Sequence, residues 1–153
     1  MQPNDVSKVS HIPLPTPGRL YLASKNILEN HQDHNIDHIV TVLSSEHIPA
    51  KISGIKHDIY VLDDDFSRSC LSRMKEILEE TAPRIHHSLT EGKNVAVHCY
   101  MGISRSATVV LHYLLTHHMR GQGLNTACRF LRNHRPVVSP NIGFQQLLRE
   151  KHE

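Results

Sequence analysis

The sequence predicts an α/β domain with a mostly parallel central sheet flanked by helices. Three observations carry this expectation. Short, β-branched apolar runs recur at residues 38–43, 58–62 and 94–98, the composition of strands buried on both faces. Helical periodicity stands between and after these runs, and strands that alternate with helices pair in parallel. The chain has 153 residues, 39% of them hydrophobic, enough for one self-sufficient core.

Residues 1–17 are polar and carry Pro3, Pro13, Pro15 and Pro17. They read as an extended arm preceding a domain over 18–153. A first short strand is expected at 19–23. Ser24 suits the N-cap of a short polar helix reaching about His34, which Asn35 can end because asparagine tolerates the left-handed region. The strand at 58–62 is halted by Asp63-Asp64-Asp65. Leu71, Met74, Leu78, Ala82, Ile85 and Leu89 recur by three and four, a helical face. Pro83 falls inside it and is expected to kink that helix, or to restart it with Thr81 as a new cap. After Gly92 and the strand at 94–98, a helix is expected over 104–118. Gly121 and Gly123 break it, and another runs over 125–134. Ser139 and Pro140 read as cap and first residue of a last helix that turns Phe144, Leu147 and Leu148 inward.

Charge excludes several classes of partner. Seventeen basic and fifteen acidic residues leave a formal +2, too small an excess for a polyanion-coating protein, so no nucleic-acid partner is expected. No apolar run approaches the roughly twenty residues of a membrane span, and Met1-Gln2-Pro3-Asn4-Asp5 has neither a leader pattern nor a lipidation signal. Cys70, Cys99 and Cys128 are odd in number and unspaced, which suits free thiols in a reducing compartment. The cytoplasm is expected, with the nucleus open. The fourteen histidines include His31, His34 and His38 and the pairs His86-His87 and His117-His118. Neighbours on a helix point about 100° apart and do not chelate together. No metal is expected, and these histidines read as solvated surface groups. The oligomeric state is left open.

One segment carries chemistry: Val97-His98-Cys99-Tyr100-Met101-Gly102-Ile103-Ser104-Arg105-Ser106-Ala107. An apolar strand ends at a cysteine, and an arginine opens the following helix. Tyr100, Met101, Gly102, Ile103, Ser104 and Arg105 all have backbone N–H groups, and Gly102 permits the positive φ that curls the loop. Six amides turned inward before a helix N-terminus make a nest for a tetrahedral dianion. Arg105 can add a bidentate fork. Helix N-termini and cations also lower thiol pKa, to roughly 3.5–7.5, so a nucleophilic Cys99 thiolate is expected, poised for attack on a bound phosphoryl group.

His98-Cys99-x5-Arg105-Ser106 resembles the signature of the cysteine-based protein phosphatases, and the fuller string is similar to their dual-specificity branch. Arg19-Leu20-Tyr21-Leu22-Ala23-Ser24 resembles that family's opening strand. His112-Tyr113-Leu114-Leu115 and Arg135-Pro136-Val137-Val138-Ser139-Pro140-Asn141-Ile142-Gly143-Phe144 resemble two later segments. The likeness covers about residues 18–150.

The resemblance implies the cysteine-dependent phosphatase fold and a set of roles. Cys99 would be the nucleophile. Tyr100 to Arg105 would bind phosphate, and His98 would hold the loop. Ser106 would donate to the departing thiolate, or simply cap the helix. A general acid is implied just beyond the strand, and matching Ile59-Tyr60-Val61-Leu62 puts it at Asp63, with Asp64 the close rival. The stretch from these aspartates to Cys99 exceeds the usual family length by a few residues, Ser67-Arg68-Ser69-Cys70 among them, so the register stays open. All three aspartates could instead cap the next helix. Asn141 would brace the loop or open the last helix. Cys70 and Cys128 read as a loop thiol and a packing residue, or as resolving thiols.

The implied reaction is cofactor-free hydrolysis of phosphomonoesters through phosphocysteine, with phosphotyrosine and phosphoserine/threonine proteins as substrates. Alternatives are a non-protein phosphate (RNA 5′-triphosphate, phosphoinositide or glucan) or a phosphate-docking binding module.

Overall fold

Strands β1 (Ser10–Ile12), β2 (Leu20–Ala23), β3 (His38–Leu43), β4 (Lys56–Val61) and β5 (Val95–His98) form one sheet in the order β1-β2-β5-β3-β4 in the computed structural model, which describes residues 5–153. β1 runs antiparallel to β2, and the other three pairings are parallel. The expected mostly parallel sheet is therefore present, with an antiparallel edge. That edge comes from the segment read as an extended arm, whose first four residues lie outside those described. A three-residue strand is too short to announce itself by alternation, and β1 exists because β2 offers it a partner.

Side-chain alternation along the strands divides the core in two. Leu20, Leu22, Val40, Val42, Val95 and Val97 pack against α2 (Arg68–Thr90), α3 (Arg105–His117), α4 (Leu124–His134) and α5 (Ile142–His152). Tyr21, Ala23, Ile39 and Ala96 face the other way, under a smaller cover with Ile27 and Ile36. Ile27 lies on α1 (Ile27–Asn30), which continues as a 3-10 turn over His31–His34. Asn35 ends that turn at φ 53°, as its residue type allows. Each fully buried aliphatic side chain stabilises by about 1.5–3 kcal/mol.

Helix α2 is continuous over 23 residues despite Pro83. Thr81 does not restart it; its hydroxyl donates to the Ile77 carbonyl at 2.7 Å, one turn back. Pro83 points outward, while Met74, Ile77, Leu78, Ala82, Ile85 and Leu89 bury one uninterrupted face. Burial of that face keeps the helix continuous through Pro83. Helix α5 starts later than expected: its cap is Asn141, whose side chain accepts from the Phe144 N–H at 2.9 Å. Ser139 is spent elsewhere, as described below.

The histidines also depart from expectation. His38, His57 and His112, read as surface groups, are buried and hydrogen-bonded, because sheet and helix faces close over them.

Register positions the site. Ala23 and Thr41 both lie opposite His98 in the ladder, so β2 and β5 end at one level and β3 runs two residues further. Cys99 emerges at their carboxyl edge, where open α/β sheets bind ligands.

Candidate active site

Between β5 and α3 the chain turns through Cys99 to Ser104, and every carbonyl in that turn is engaged from outside. The Cys99 oxygen lies 3.0 Å from His98 Nδ1. The Tyr100 oxygen accepts from the Lys25 N–H at 3.0 Å. Arg135 serves two, donating through Nη2 to the Met101 oxygen at 2.9 Å and through Nε to the Gly102 oxygen at 2.8 Å. Ser139 N–H donates to the Ile103 oxygen at 2.8 Å, and the Ser104 oxygen takes the Thr108 hydroxyl at 2.7 Å and its N–H at 2.9 Å.

A trans peptide sets each carbonyl opposite the next residue's N–H. Six carbonyls fixed outward therefore aim the amides of Tyr100, Met101, Gly102, Ile103, Ser104 and Arg105 inward. Among the described residues none of these amides donates to a protein group. Gly102 sits at φ 69°. A Cβ there would also fall 2.5 Å from the Ala23 carbonyl oxygen and 2.6 Å from Arg135 Nη2, so only glycine fits.

Cys99 is buried at the floor of this turn, its Sγ 3.1 Å from the Ser106 Oγ. Arg105 opens α3. Its Nη1 donates to the Leu62 carbonyl at 2.9 Å and to the Ser44 Oγ at 3.2 Å, and its buried Nε has no partner. One side of the guanidinium is anchored, leaving the edge carrying Nε for a bidentate anion. A cleft of about 240 Å³ is lined by Cys99, Tyr100, Met101, Ile103, Ser104, Arg105 and Asp64. Lys25 reaches over its rim, with Nζ 4.4 Å from the Tyr100 ring centre.

The carboxylate in that cleft is Asp64. Its Oδ1 accepts from the Ser104 hydroxyl at 2.7 Å and from the Asn141 side-chain amide at 2.9 Å. Asp63, placed first by strand register, lines the adjoining hollow with Cys70, and only its carbonyl is held, by Cys70 Sγ at 3.2 Å. Asp65 lines that same hollow, and its carboxylate accepts from the Ser67 N–H. Consecutive residues diverge as the chain leaves β4, and the helix cap is Ser67, not an aspartate. Asn141 binds Asp64, the Asp65 carbonyl and, through its own N–H, Ser104 Oγ. It ties the aspartate turn to the loop while capping α5.

Arg135 has no assigned role in the sequence reading, although Arg135-Pro136 belongs to one of the resembling segments. It is buried, and beyond the loop it donates to Val6, Lys8 and Ser10. The N-terminal strand and the Cys99–Ser104 loop are thus fastened to one guanidinium. Ser44 escaped notice too, having no local signal. Cys70 and Cys128 are free and buried, their thiols pushed up by burial; Cys128 packs on α4 in the larger core. No three His, Cys, Asp or Glu side chains among the described residues come together as a metal site.

The model of the dual specificity phosphatase catalytic domain matches residues 20–153. The chain belongs to the dual specificity phosphatase family. It is 32% identical over 137 residues to dual specificity protein phosphatase 1 of Arabidopsis thaliana, covering 86% of this chain and 64% of that protein. It is 33% identical over 117 residues to dual specificity protein phosphatase 15 of Rattus norvegicus, covering 76% of this chain and 46% of that one. The matches thus span from under half to just under two thirds of these relatives. Among solved structures, the human tyrosine phosphatase-like serine/threonine/tyrosine-interacting protein superposes with a TM-score of 0.78 at 25% identity, covering 95% of both chains. This dual specificity phosphatase domain shares that fold over 95% of its length. No helix among the described residues is long and apolar enough to cross a membrane.

Proposed function

We propose that this chain hydrolyses phosphomonoesters of proteins, phosphotyrosine and phosphoserine/threonine, through a phosphocysteine intermediate. The observation that carries the reading is a thiol beneath six inward amides whose carbonyls are all engaged elsewhere. A phosphoryl group seated there receives amide donors and the Arg105 fork on its equatorial oxygens while Cys99 Sγ stands in line for attack.

In the first step the Cys99 thiolate forms an S–P bond as the P–O bond to the leaving group breaks. The leaving oxygen takes a proton, and Asp64 supplies it from the cleft wall. In the second step water attacks phosphorus, Asp64 takes its proton, and the S–P bond breaks. The departing thiolate receives a hydrogen bond from Ser106 Oγ, 3.1 Å away. Asp64 replaces Asp63 in this reading because a general acid must lie within reach of the leaving oxygen. His98 and Asn141 hold the loop and the aspartate turn. The catalytic unit is residues 18–153 with β1 added at the edge of its sheet, and three unpaired thiols suit the cytoplasm.

The test is turnover of phosphotyrosyl and phosphoseryl peptides with rapid-quench trapping of phosphate on Cys99. Turnover confined to RNA 5′-triphosphate, phosphoinositide or glucan would reassign the substrate. Phosphate binding without turnover would make the domain a docking module.

A further inference from the structure

The phosphate loop is held from the sheet side by a chain of hydrogen bonds that begins far from the cleft. Ile52 N–H donates to His57 Nδ1 at 3.0 Å. His57 Nε2 lies 2.8 Å from Thr41 Oγ1, which lies 2.7 Å from His98 Nε2. His98 Nδ1 lies 3.0 Å from the Cys99 carbonyl oxygen. Thr41, His57 and His98 are at most 2% exposed, so water does not share these bonds.

Counting hydrogens fixes their direction. His57 Nδ1 accepts, so in a neutral ring its Nε2 carries the proton and donates to Thr41. The single Thr41 hydrogen then goes to His98 Nε2. His98 in turn carries its proton on Nδ1, facing a carbonyl that can only accept. The two imidazoles hold opposite tautomers, and no other assignment of neutral rings satisfies all four contacts. Burial, the largest cause, pushes both histidines below their usual range, His98 to about 4, which keeps the rings neutral.

We propose that Thr41 and His57 are positioning residues for catalysis, a one-way hydrogen-bond chain that fixes the His98 tautomer and so the orientation of the Cys99–Tyr100 peptide. With the Cys99 carbonyl held by His98, the Tyr100 N–H points into the cleft beside the thiol. Without the Thr41 hydroxyl, His98 loses its only donor on Nε2, and the proton can move there. Nδ1 would then oppose a lone pair to the Cys99 oxygen, and the peptide would be free to turn. The inference deepens the proposed function and rests on Cys99 as nucleophile.

Nitrogen-15 NMR of the histidine rings in the unaltered protein is the first test. His98 is expected with its proton on Nδ1 and His57 with its proton on Nε2. The reverse tautomer at His98, or a charged ring at neutral pH, overturns the proposal. This reading needs no substitution and no turnover, so it stands apart from any failure of the phosphatase reading.

The second test is Thr41→Val, which keeps shape and removes the hydroxyl. The His98 proton is expected to redistribute, the pH midpoint for iodoacetamide alkylation of Cys99 to rise, and kcat to fall on the order of tenfold with KM little changed. Thr41→Ser, which keeps the hydroxyl, should retain the wild-type tautomer and midpoint. A folded Thr41→Val protein with an unchanged midpoint and kcat overturns the proposal. If that variant does not fold, the ring tautomers of the wild type and Thr41→Ser decide alone.

Discussion

Asp64 accepts the hydroxyl hydrogen of Ser104 at 2.7 Å across forty positions of sequence. The bond closes the aspartate turn onto the Cys99–Ser104 loop, and both of the Asp64 side-chain contacts fall on Oδ1. Asp64→Asn is therefore expected to slow a poor leaving group, such as a tyrosyl or alkyl oxygen, by about 10²–10⁴-fold. An activated aryl phosphate should suffer far less, and the basic limb of the pH profile should vanish. Asp63→Asn and Asp65→Asn should stay near wild type. A steeper leaving-group dependence in either of those two would move the acid to that residue.

Cys99→Ser removes the thiol proposed as nucleophile and keeps the loop. Turnover should cease while phosphate still binds, as isothermal titration would detect. Activity above a trace in the serine protein would rule out phosphocysteine.

Arg105 is anchored through Nη1, with Nε free for substrate. Lysine preserves charge and loses both the anchor and the fork. Arg105→Lys should lose on the order of 10²-fold or more in kcat/KM. A near-normal lysine variant would show that the fork is not used.

Two glycines at positive φ form a matched pair of tests. Gly121 has open space around it at φ 80°, whereas Gly102 is hemmed by Ala23 and Arg135. Gly121→Ala should cost only the left-handed penalty, about 1–2 kcal/mol. Gly102→Ala should cost more in thermal stability and also abolish phosphate binding. Equal losses in the two proteins would refute the close packing behind the loop.

Stability should fall on the acid side. Burial, the largest cause for both His98 and His112, lowers each from the usual 6.5 to about 4. Above about pH 6.5 neither the folded nor the unfolded chain binds these protons, and the two groups contribute no pH dependence. As pH drops below that point the unfolded chain takes them up and the folded chain refuses them, so stability declines until about pH 4. Each group accounts for up to about 3 kcal/mol over that window. Urea unfolding at about pH 7.5 and about pH 5 should give a lower midpoint in acid, and His112→Gln should lessen the difference. Identical midpoints in the wild type would contradict this.

Local order in the sequence determined much of this protein. The strand before Cys99, the unbroken supply of amides to Arg105, the glycine at 102 and the helix behind them are all written within a dozen residues. Spacing along the backbone is what builds such a nest. The apolar runs of β3 and β5 and the inward face of α2 were legible for the same reason, since burial imposes a period. What the tertiary structure decided is non-local. The choice of Asp64 over Asp63 depends on which carboxylate meets Ser104 and Asn141, and three adjacent aspartates carry no trace of it. Arg135 finds the loop carbonyls only once α4 has packed beside the sheet. His57, which looks like one surface group among many histidines, becomes a buried link because Thr41, His57 and His98 are brought together by strand register. Even Pro83 stays inside a continuous helix, held by the packing of the face opposite it. A sequence fixes what each segment can offer; hydrogen-bond partners distant in the chain are chosen only when the layers close.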